Sequence, residues 1–493
     1  MDNYGLWSLI PPIIAIVLAL KTKQVFLSLT FGIWTGWVII NQGNILLGSY
    51  DTINAFVGVF QDAGNTRTVI FTLLVGSLIA LIQRSGGVEG FIQLVKSKLE
   101  DFDEQGNLNS NRKKVQLATA VTGLLIFVES NISILTAGTL YRPLFDKLRI
   151  PREKLAYLVD SSSAPSCIIF PFNAWGAYIM GLLILQGLES PFLILFKSIA
   201  YNFYPFLALI TVFYLIVSKK DFGPMKNAAL RADQEGKLIA DGAVPMVSDE
   251  ISLLEAKKSI SHRAVNMIVP IVLMVVLMPI MLIYTGWADS DVSLGFFMQI
   301  FDAIGNGSGS TSVLISVTTS VLVAIVIYRF QKLMGIKEMI DLSLKGMSGM
   351  VSLAILMVLA FAIGSLCKQL GTGIYVAEAT KPWLTPALVP AIVFAVSCFI
   401  AFSTGTSWGT FAIMISIAVP MAQSFDANIY LVIGAALGGG VFGDHCSPIS
   451  DTTIISSMAS ASDHIDHVKT QLPYALIGGS IAFLMYLVLG FVL

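Results

Sequence analysis

Residues 438–453 read GGGVFGDHCSPISDTT, and they interrupt an apolar run that extends over 427–460. Within them Asp444 and Asp451 flank Pro448, with the hydroxyls of Ser447, Ser450, Thr452 and Thr453 close by in the chain. Proline removes a backbone donor and breaks a helical ladder, and glycine leaves the helical region at little steric cost. The stretch is therefore expected to unwind. Crossing a bilayer takes about 20 mostly apolar residues, so the break falls inside a segment long enough to span. Non-helical backbone at that depth is tolerated only where protein buries it or it borders a water-filled cavity. This stretch dictates an all-α polytopic membrane fold built around interrupted helices.

The rest of the chain agrees. Of 493 residues, 55% are hydrophobic and 12% charged, against about 25% charged in a soluble protein. The mean hydropathy is +0.78. This composition excludes a string of soluble domains, a disordered chain, collagen and a disulfide scaffold. A net charge of −1, with no basic domain, gives nucleic acid no phosphate-binding surface. Cys167, Cys367, Cys398 and Cys446 lack metal-ligand spacing and read as small buried hydrophobes. Residues 1–5 carry no positive charge ahead of the apolar run from Leu6, which leads straight into a second span, so no cleaved leader is expected.

Spans are expected near 6–20, 24–42, 67–85, 155–186, 193–218, 264–285, 313–328, 345–370, 427–460 and 472–492. Two of these, 155–186 and 427–460, are too long for one clean helix. Two further apolar stretches, 115–142 and 385–422, are broken by polar tips at 129–133 (ESNIS) and 403–409 (STGTSWG). Lys and Arg collect in cytoplasmic loops. If both stretches are hairpins that enter and leave on one side, every Lys and Arg except Arg67, Lys197, Lys368 and Lys381 lies inside. The expectation is ten transmembrane helices plus two re-entrant hairpins, with both termini outside.

The halves resemble each other. LIPPIIAIVLAL (9–20) parallels IVPIVLMVVLM (268–278), and SLIALIQRSG (77–86) parallels AIGSLCKQLG (362–371). Each half then runs hairpin, interrupted helix, final helix. The predicted organisation is a first repeat over 1–218 and a second over 264–493. Between them lies a cytoplasmic linker, 219–263, expected to be solvated and partly helical. The copies begin on opposite sides of the membrane, and inverted repeats with broken helices are a signature of secondary transporters.

A charge inside the bilayer is costly, so an ionisable residue there is a functional candidate. Four acids are expected at that depth: Glu129, Asp160, Asp444 and Asp451, with no Lys or Arg. Acids without basic partners suit cation handling. Unwound carbonyls and the hydroxyls of Ser447, Ser450, Thr452 and Thr453 are hard oxygen ligands for Na⁺, and the Cys446 sulfur is not. The first-half counterpart, 160–173 (DSSSAPSCIIFPFN), offers Asp160, Ser161, Ser162, Ser163 and Asn173. Glu129, Ser130, Asn131 and Ser133 at one tip and Thr404, Thr406 and Trp408 at the other are candidates for a solute or second-ion site. Each tip precedes a half-helix whose N-terminus carries partial positive charge. Trp175-Gly176 and Trp408-Gly409 could line a cavity or simply pack. His445 could shuttle protons or bond a helix end. His464 and His467 read as solvated loop residues. No catalytic triad, phosphate loop or nucleotide motif occurs, so neither an enzyme nor an ATP-driven pump is expected. No cofactor is implied beyond Na⁺ and H⁺ as coupling ions.

GDHCSPISDTTIISS (443–457), together with 403–411, resembles the NhaC family of Na⁺/H⁺ antiporters, within the ion transporter superfamily. The resemblance extends over most of the chain, is strongest over 402–457 and is weakest over the linker. It implies a bacterial inner-membrane carrier with an elevator-type motion, often a homodimer, in which hairpins and unwound helices form the mobile part. By that analogy Asn131 sits at one hairpin tip and Thr404, Gly405 and Thr406 at the other. Members exchange Na⁺ for H⁺, exchange carboxylates, or take up amino acids such as methionine. Two mechanisms stay open: Na⁺/H⁺ antiport by competition for Asp444 and Asp451, or Na⁺-coupled movement of a small organic solute. A non-transporting receptor would have no use for acids at membrane depth.

Overall fold

The computed structural model describes residues 4–22, 24–99, 108–127, 129–245, 261–293, 295–382 and 384–493. Among these, nine helices are long and apolar enough to cross a membrane, or ten if the bent pair Arg152–Ile169 and Ala174–Leu185 is one span. The chain is a multi-pass membrane protein.

The two halves share part of their order of elements, although the second carries an extra helix, Phe296–Asn306, after its first long one. The first gives Ile10–Thr22, Val25–Ile40, Ile45–Val59, Ala63–Arg84 and Gly87–Leu99; the second gives Val265–Gly286, Gly309–Phe330, Ile336–Gly349, Val351–Leu370 and Thr372–Thr380. Both sequence pairs fall in corresponding helices of these series. The pair ending in Gly86 and Gly371 closes each time on a glycine with φ near +69° and +68°, a left-handed turn that glycine adopts without a Cβ clash. Each half then forms a helical hairpin, a broken span and a closing helix. The hairpins are Leu108–Leu125 with Ser130–Lys147, and Val389–Thr404 with Ser407–Phe425. The broken spans are Arg152–Ile169 with Ala174–Leu185, bent by 46°, and Ile429–Cys446 with Asp451–Ser460.

Several expected boundaries shift. The run 193–218 is split into Pro191–Ile199 and Phe203–Ser218, and 345–370 is split at Met350. The closing helix, expected over 472–492, begins at His464 and runs to Val492. Ile45–Val59 and the amphipathic Phe296–Asn306 were not expected at all; at 15 and 11 residues they are too short to register as spans. In the second hairpin, Pro386–Thr404 and Ser407–Phe425 are each 19 residues and apolar enough to cross alone, about 28 Å at 1.5 Å per residue.

The glycines of 438–443 also behave differently from the expectation. Gly438, Gly439, Gly440 and Gly443 lie inside the helix Ile429–Cys446, and the break follows at 447–450 around Pro448. A Cβ on Gly439 would meet Ser397 Cβ at 2.5 Å, and one on Gly443 would meet Ala401 Cβ at 2.2 Å. These glycines allow close packing against the hairpin arm Val389–Thr404, while proline makes the break.

The described part of the linker is docked. Met225, Ala228 and Ala232 of its helix Gly223–Gln234 are buried. Arg231 pairs with Glu153 at 2.7 Å, Lys154 pairs with Asp221, and the Val244 N–H donates to Asp463 at 3.0 Å. Residues 246–260 of the expected linker lie outside the described residues.

Candidate functional site

The two breaks meet the opposite halves of the chain. The half-helix Asp451–Ser460 packs on the first hairpin's arm Ser130–Lys147 and on Arg152–Ile169, while Ala174–Leu185 packs on Ser407–Phe425. A Cβ on Gly138 would meet Ala459 Cβ at 2.5 Å, which sets how closely the first of these approaches. Gly405, at φ +68°, turns the second hairpin, and a Cβ there would meet the Ile449 carbonyl at 2.5 Å. The hairpin tip therefore rests on the break at 447–450.

Asp444 ends the helix before that break and is 1% exposed, whereas Asp451 opens the helix after it and is exposed. The Ser450 hydroxyl lies 3.5 Å from Asp444 Oδ1 and 3.1 Å from the Thr452 hydroxyl. Thr453 donates to the Asp444 carbonyl at 2.9 Å, satisfying one of the acceptors a helix end leaves open. Ser447 is buried and its Oγ accepts from the Ile449 N–H. Asp444, Asp451 and Asp160 are near enough to act on one another electrostatically. Among the described residues no Lys or Arg pairs with Asp160 or Asp444, and no group of three His, Cys, Asp or Glu side chains forms a metal cage.

Asp160 is fully buried and bridges the halves. Its Oδ2 accepts from Gln471 at 2.7 Å and lies 3.4 Å from the Thr453 hydroxyl. His467 Nε2 stands 3.5 Å away. Gln471 also donates to the His445 carbonyl at 2.8 Å, and His445 Nδ1 meets the Tyr204 hydroxyl at 2.9 Å. Asp160 Oδ1 and His445 Nε2 are buried without a hydrogen-bond partner.

His467 corrects the sequence reading, because it is buried rather than solvated. His464 is bound too: its Nε2 meets the Pro448 carbonyl at 2.6 Å and its Nδ1 the Ser457 hydroxyl at 3.0 Å. His467, Gln471 and Tyr204 were missed. A signal existed, since His464, His467 and Gln471 are spaced as one helical face, but the expected span began one residue after Gln471.

In the first half the polar residues mainly stitch elements together. Asn173 donates to the carbonyls of Phe127, Cys167 and Phe170, each at 2.8 Å, and accepts from the Gly176 N–H. It caps both sides of the break and holds the hairpin tip, which leaves it no free donor for a solute. Ser162 donates back to the Leu158 carbonyl. Ser163 donates to Ser133, and Ser133 to the Gly123 carbonyl, both at 2.8 Å. Glu129, Ser130 and Ser161 are buried, and Ser130 lies 3.4 Å from Glu129 Oε1. Asn131 is half-buried, with its Oδ1 unpartnered.

At the second tip Thr404 donates to the Ile400 carbonyl, and the Thr406 carbonyl accepts from Thr410. The two tryptophans of the Trp-Gly pairs touch, with ring centroids of Trp175 and Trp408 5.3 Å apart. Tyr178 packs on Trp408 at 5.0 Å and donates to its carbonyl. Motifs 233 residues apart thus form one aromatic cluster.

The profile of the Na⁺/H⁺ antiporter family matches residues 184–491. An uncharacterised protein of Haemophilus influenzae is 30% identical over 500 residues, covering 99% of this chain and 91% of that one. The malate-2H⁺/Na⁺-lactate antiporter of Bacillus subtilis is 29% identical over 109 residues, 22% of this chain and 23% of its own. Among solved structures, Neisseria gonorrhoeae MtrF, described within a class of antimetabolite efflux pumps, superposes with a TM-score of 0.52 at 14% identity. That match covers 92% of this chain and 86% of the other, and it shows the fold alone. The chain belongs to the Na⁺/H⁺ antiporter family and is a membrane transporter rather than an enzyme.

Proposed function

We propose that the protein exchanges Na⁺ for H⁺ by letting the two ions compete for Asp444 and Asp451. The supporting observation is Asp444: a carboxylate buried at a helix break, beside the Ser450 hydroxyl, with no basic partner among the described residues. A buried charge without a partner is expensive; a proton or a dehydrated Na⁺ each neutralises it, and both cannot do so at once. Ser447, Ser450, Thr452 and Thr453, with carbonyls of 447–450, supply the remaining oxygens. Asp451, exposed at the mouth of the break, receives the ion from water. Family membership implies Na⁺ and H⁺ as the coupled ions.

The halves are two inverted repeats, 1–218 and 264–493, and the hairpins with the broken spans move as one elevator-type unit across the scaffold. The partly matched element order and the crossed packing of the half-helices support this reading.

The test is reconstitution into vesicles holding a pH dye. Addition of Na⁺ alone should move protons in wild type, and Asp444→Asn should abolish that movement while the protein still folds. Proton flux in Asp444→Asn equal to wild type removes the residue from the site.

The relative named as a malate-2H⁺/Na⁺-lactate antiporter favours a second reading, in which a small carboxylate or amino acid travels with or against Na⁺. Asn131 and Trp175 each keep a buried polar atom without a partner, and these could bond such a solute. Radiolabelled amino acids and carboxylates, screened with and without a Na⁺ gradient, separate the two readings.

A further inference from the structure

A cavity of about 180 Å³ lies at the end of the helix Phe203–Ser218, where the first hairpin, the first broken span and the linker meet. Five basic side chains line it (Arg112, Lys113, Arg149, Lys154 and Lys219) against one acid, Asp221. That acid is already engaged, by Lys154 and by the Tyr474 hydroxyl at 2.9 Å. Arg112 is fixed in the wall: it donates to the Leu148 carbonyl at 2.8 Å and pairs with Asp233 at 2.8 Å. Lys113, Arg149 and Lys219 have no acidic partner among the described residues. The floor is apolar, formed by Ile150, Leu215 and Ile216.

Positive charge at the cytoplasmic ends of spans is ordinary. Its convergence on one recess is not, and two of the seven non-glycine residues with left-handed backbone among the described residues line it. Arg149 and Lys219 both hold left-handed backbone, at φ +51° and +57°, a conformation that glycine adopts at far lower cost. A cation near a helix C-terminus is favourable, but one residue earlier would serve the dipole without the strain. Strained side-chain-bearing residues persist where surroundings or function over-determine them. Both line the same cavity.

We propose that this cavity binds a phosphate group, presented by the headgroup of an anionic phospholipid or by a soluble phosphate. Arg and Lys together supply the fork and point charges that phosphate oxygens accept. The apolar floor suits the glycerol end of a lipid, and basic pockets between helices at this face take such headgroups. The bound anion ties the hairpin arm Leu108–Leu125 to the linker.

The test measures thermal unfolding of the full chain in micelles. Short-chain phosphatidylglycerol and inorganic phosphate are the ligands; phosphatidylcholine and chloride at matched ionic strength are the controls. The variant combines Lys113→Ala, Arg149→Gly and Lys219→Gly, and its two glycines relieve strain and so favour folding. Wild type should be stabilised by at least one of the two ligands beyond its control. The triple variant should need roughly a hundredfold more of it. A response to the lipid alone assigns the headgroup; a response to phosphate as well assigns the free anion. The proposal is overturned if neither ligand shifts wild type beyond its control, or if the variant responds as wild type does.

Discussion

Asn173 shows how a single side chain can settle a break. Its two amide hydrogens are shared among three carbonyls within 2.8 Å and its oxygen accepts one N–H, so it serves the end of one half-helix, the start of the next and a carbonyl of the hairpin turn. Asn173→Asp keeps the acceptor and loses the donors. It should destabilise the protein by about 2–3 kcal/mol, read as a lower unfolding midpoint in micelles. Asp451 differs from Asp444 in exposure but not in the chemistry asked of it. Asp451→Asn should abolish Na⁺-dependent flux with expression intact; wild-type flux would exclude it. Glu129, buried beside the first tip, should be milder: Glu129→Gln should shift the pH profile of exchange. If activity is unchanged at every pH, Glu129 is structural.

At the scale of elements, the second hairpin and second broken span depend on contact between backbones. Gly443→Val would drive branched carbons into Ala401, where a Cβ alone already comes within 2.2 Å. Overpacking costs typically 1–3 kcal/mol, and a clash with the backbone of Ala401 and Phe402 should reach the upper end, seen as loss of folded protein on size-exclusion chromatography. The closing helix is held at its start by Asp463, whose side chain accepts from the Asp466 N–H and from Val244 of the linker. Burial opposes its charge, but the N–H donors of Val244, Asp466 and Ile465 outweigh burial and hold the carboxyl below its usual range. A lowered carboxyl stabilises the fold fully above the ordinary carboxylate range, and that contribution fades as pH falls through it. Asp463→Ala should cost about 1 kcal/mol at neutral pH, and the difference from wild type should vanish in acid, measured by thermal unfolding across pH.

For the whole molecule, the elevator proposal divides the chain into a moving unit and a scaffold, which meet where Ala174–Leu185 packs on Val351–Leu370. Leu185 and Gly364 lie across this seam, 3.6 Å from the Leu185 side chain to a Cβ position on Gly364. Cysteines placed at these two positions, with the four native cysteines replaced, should be bridged by mercury and stop exchange, and thiol should restore it. Exchange that continues at full rate while bridged would rule out sliding at this seam.

Composition and hydropathy by themselves determined the membrane class and where the long apolar runs break, because the cost of burying polar backbone in lipid is written into the order of apolar and polar residues. The break at Pro448 was legible for the same reason: proline acts locally. The glycines at 86 and 371 each close a helix with a left-handed turn, which depends on one residue. Tertiary structure alone decided the rest. Gly438, Gly439, Gly440 and Gly443 look like unwinding signals until the side chains and backbone of several neighbouring segments are seen to press on them. His467 and Gln471 look like loop and span edge until Asp160, some three hundred residues earlier, is found facing them. Hydropathy reports how each residue meets lipid or water; which buried polar group meets which other depends on how distant helices cross, and no local pattern encodes that.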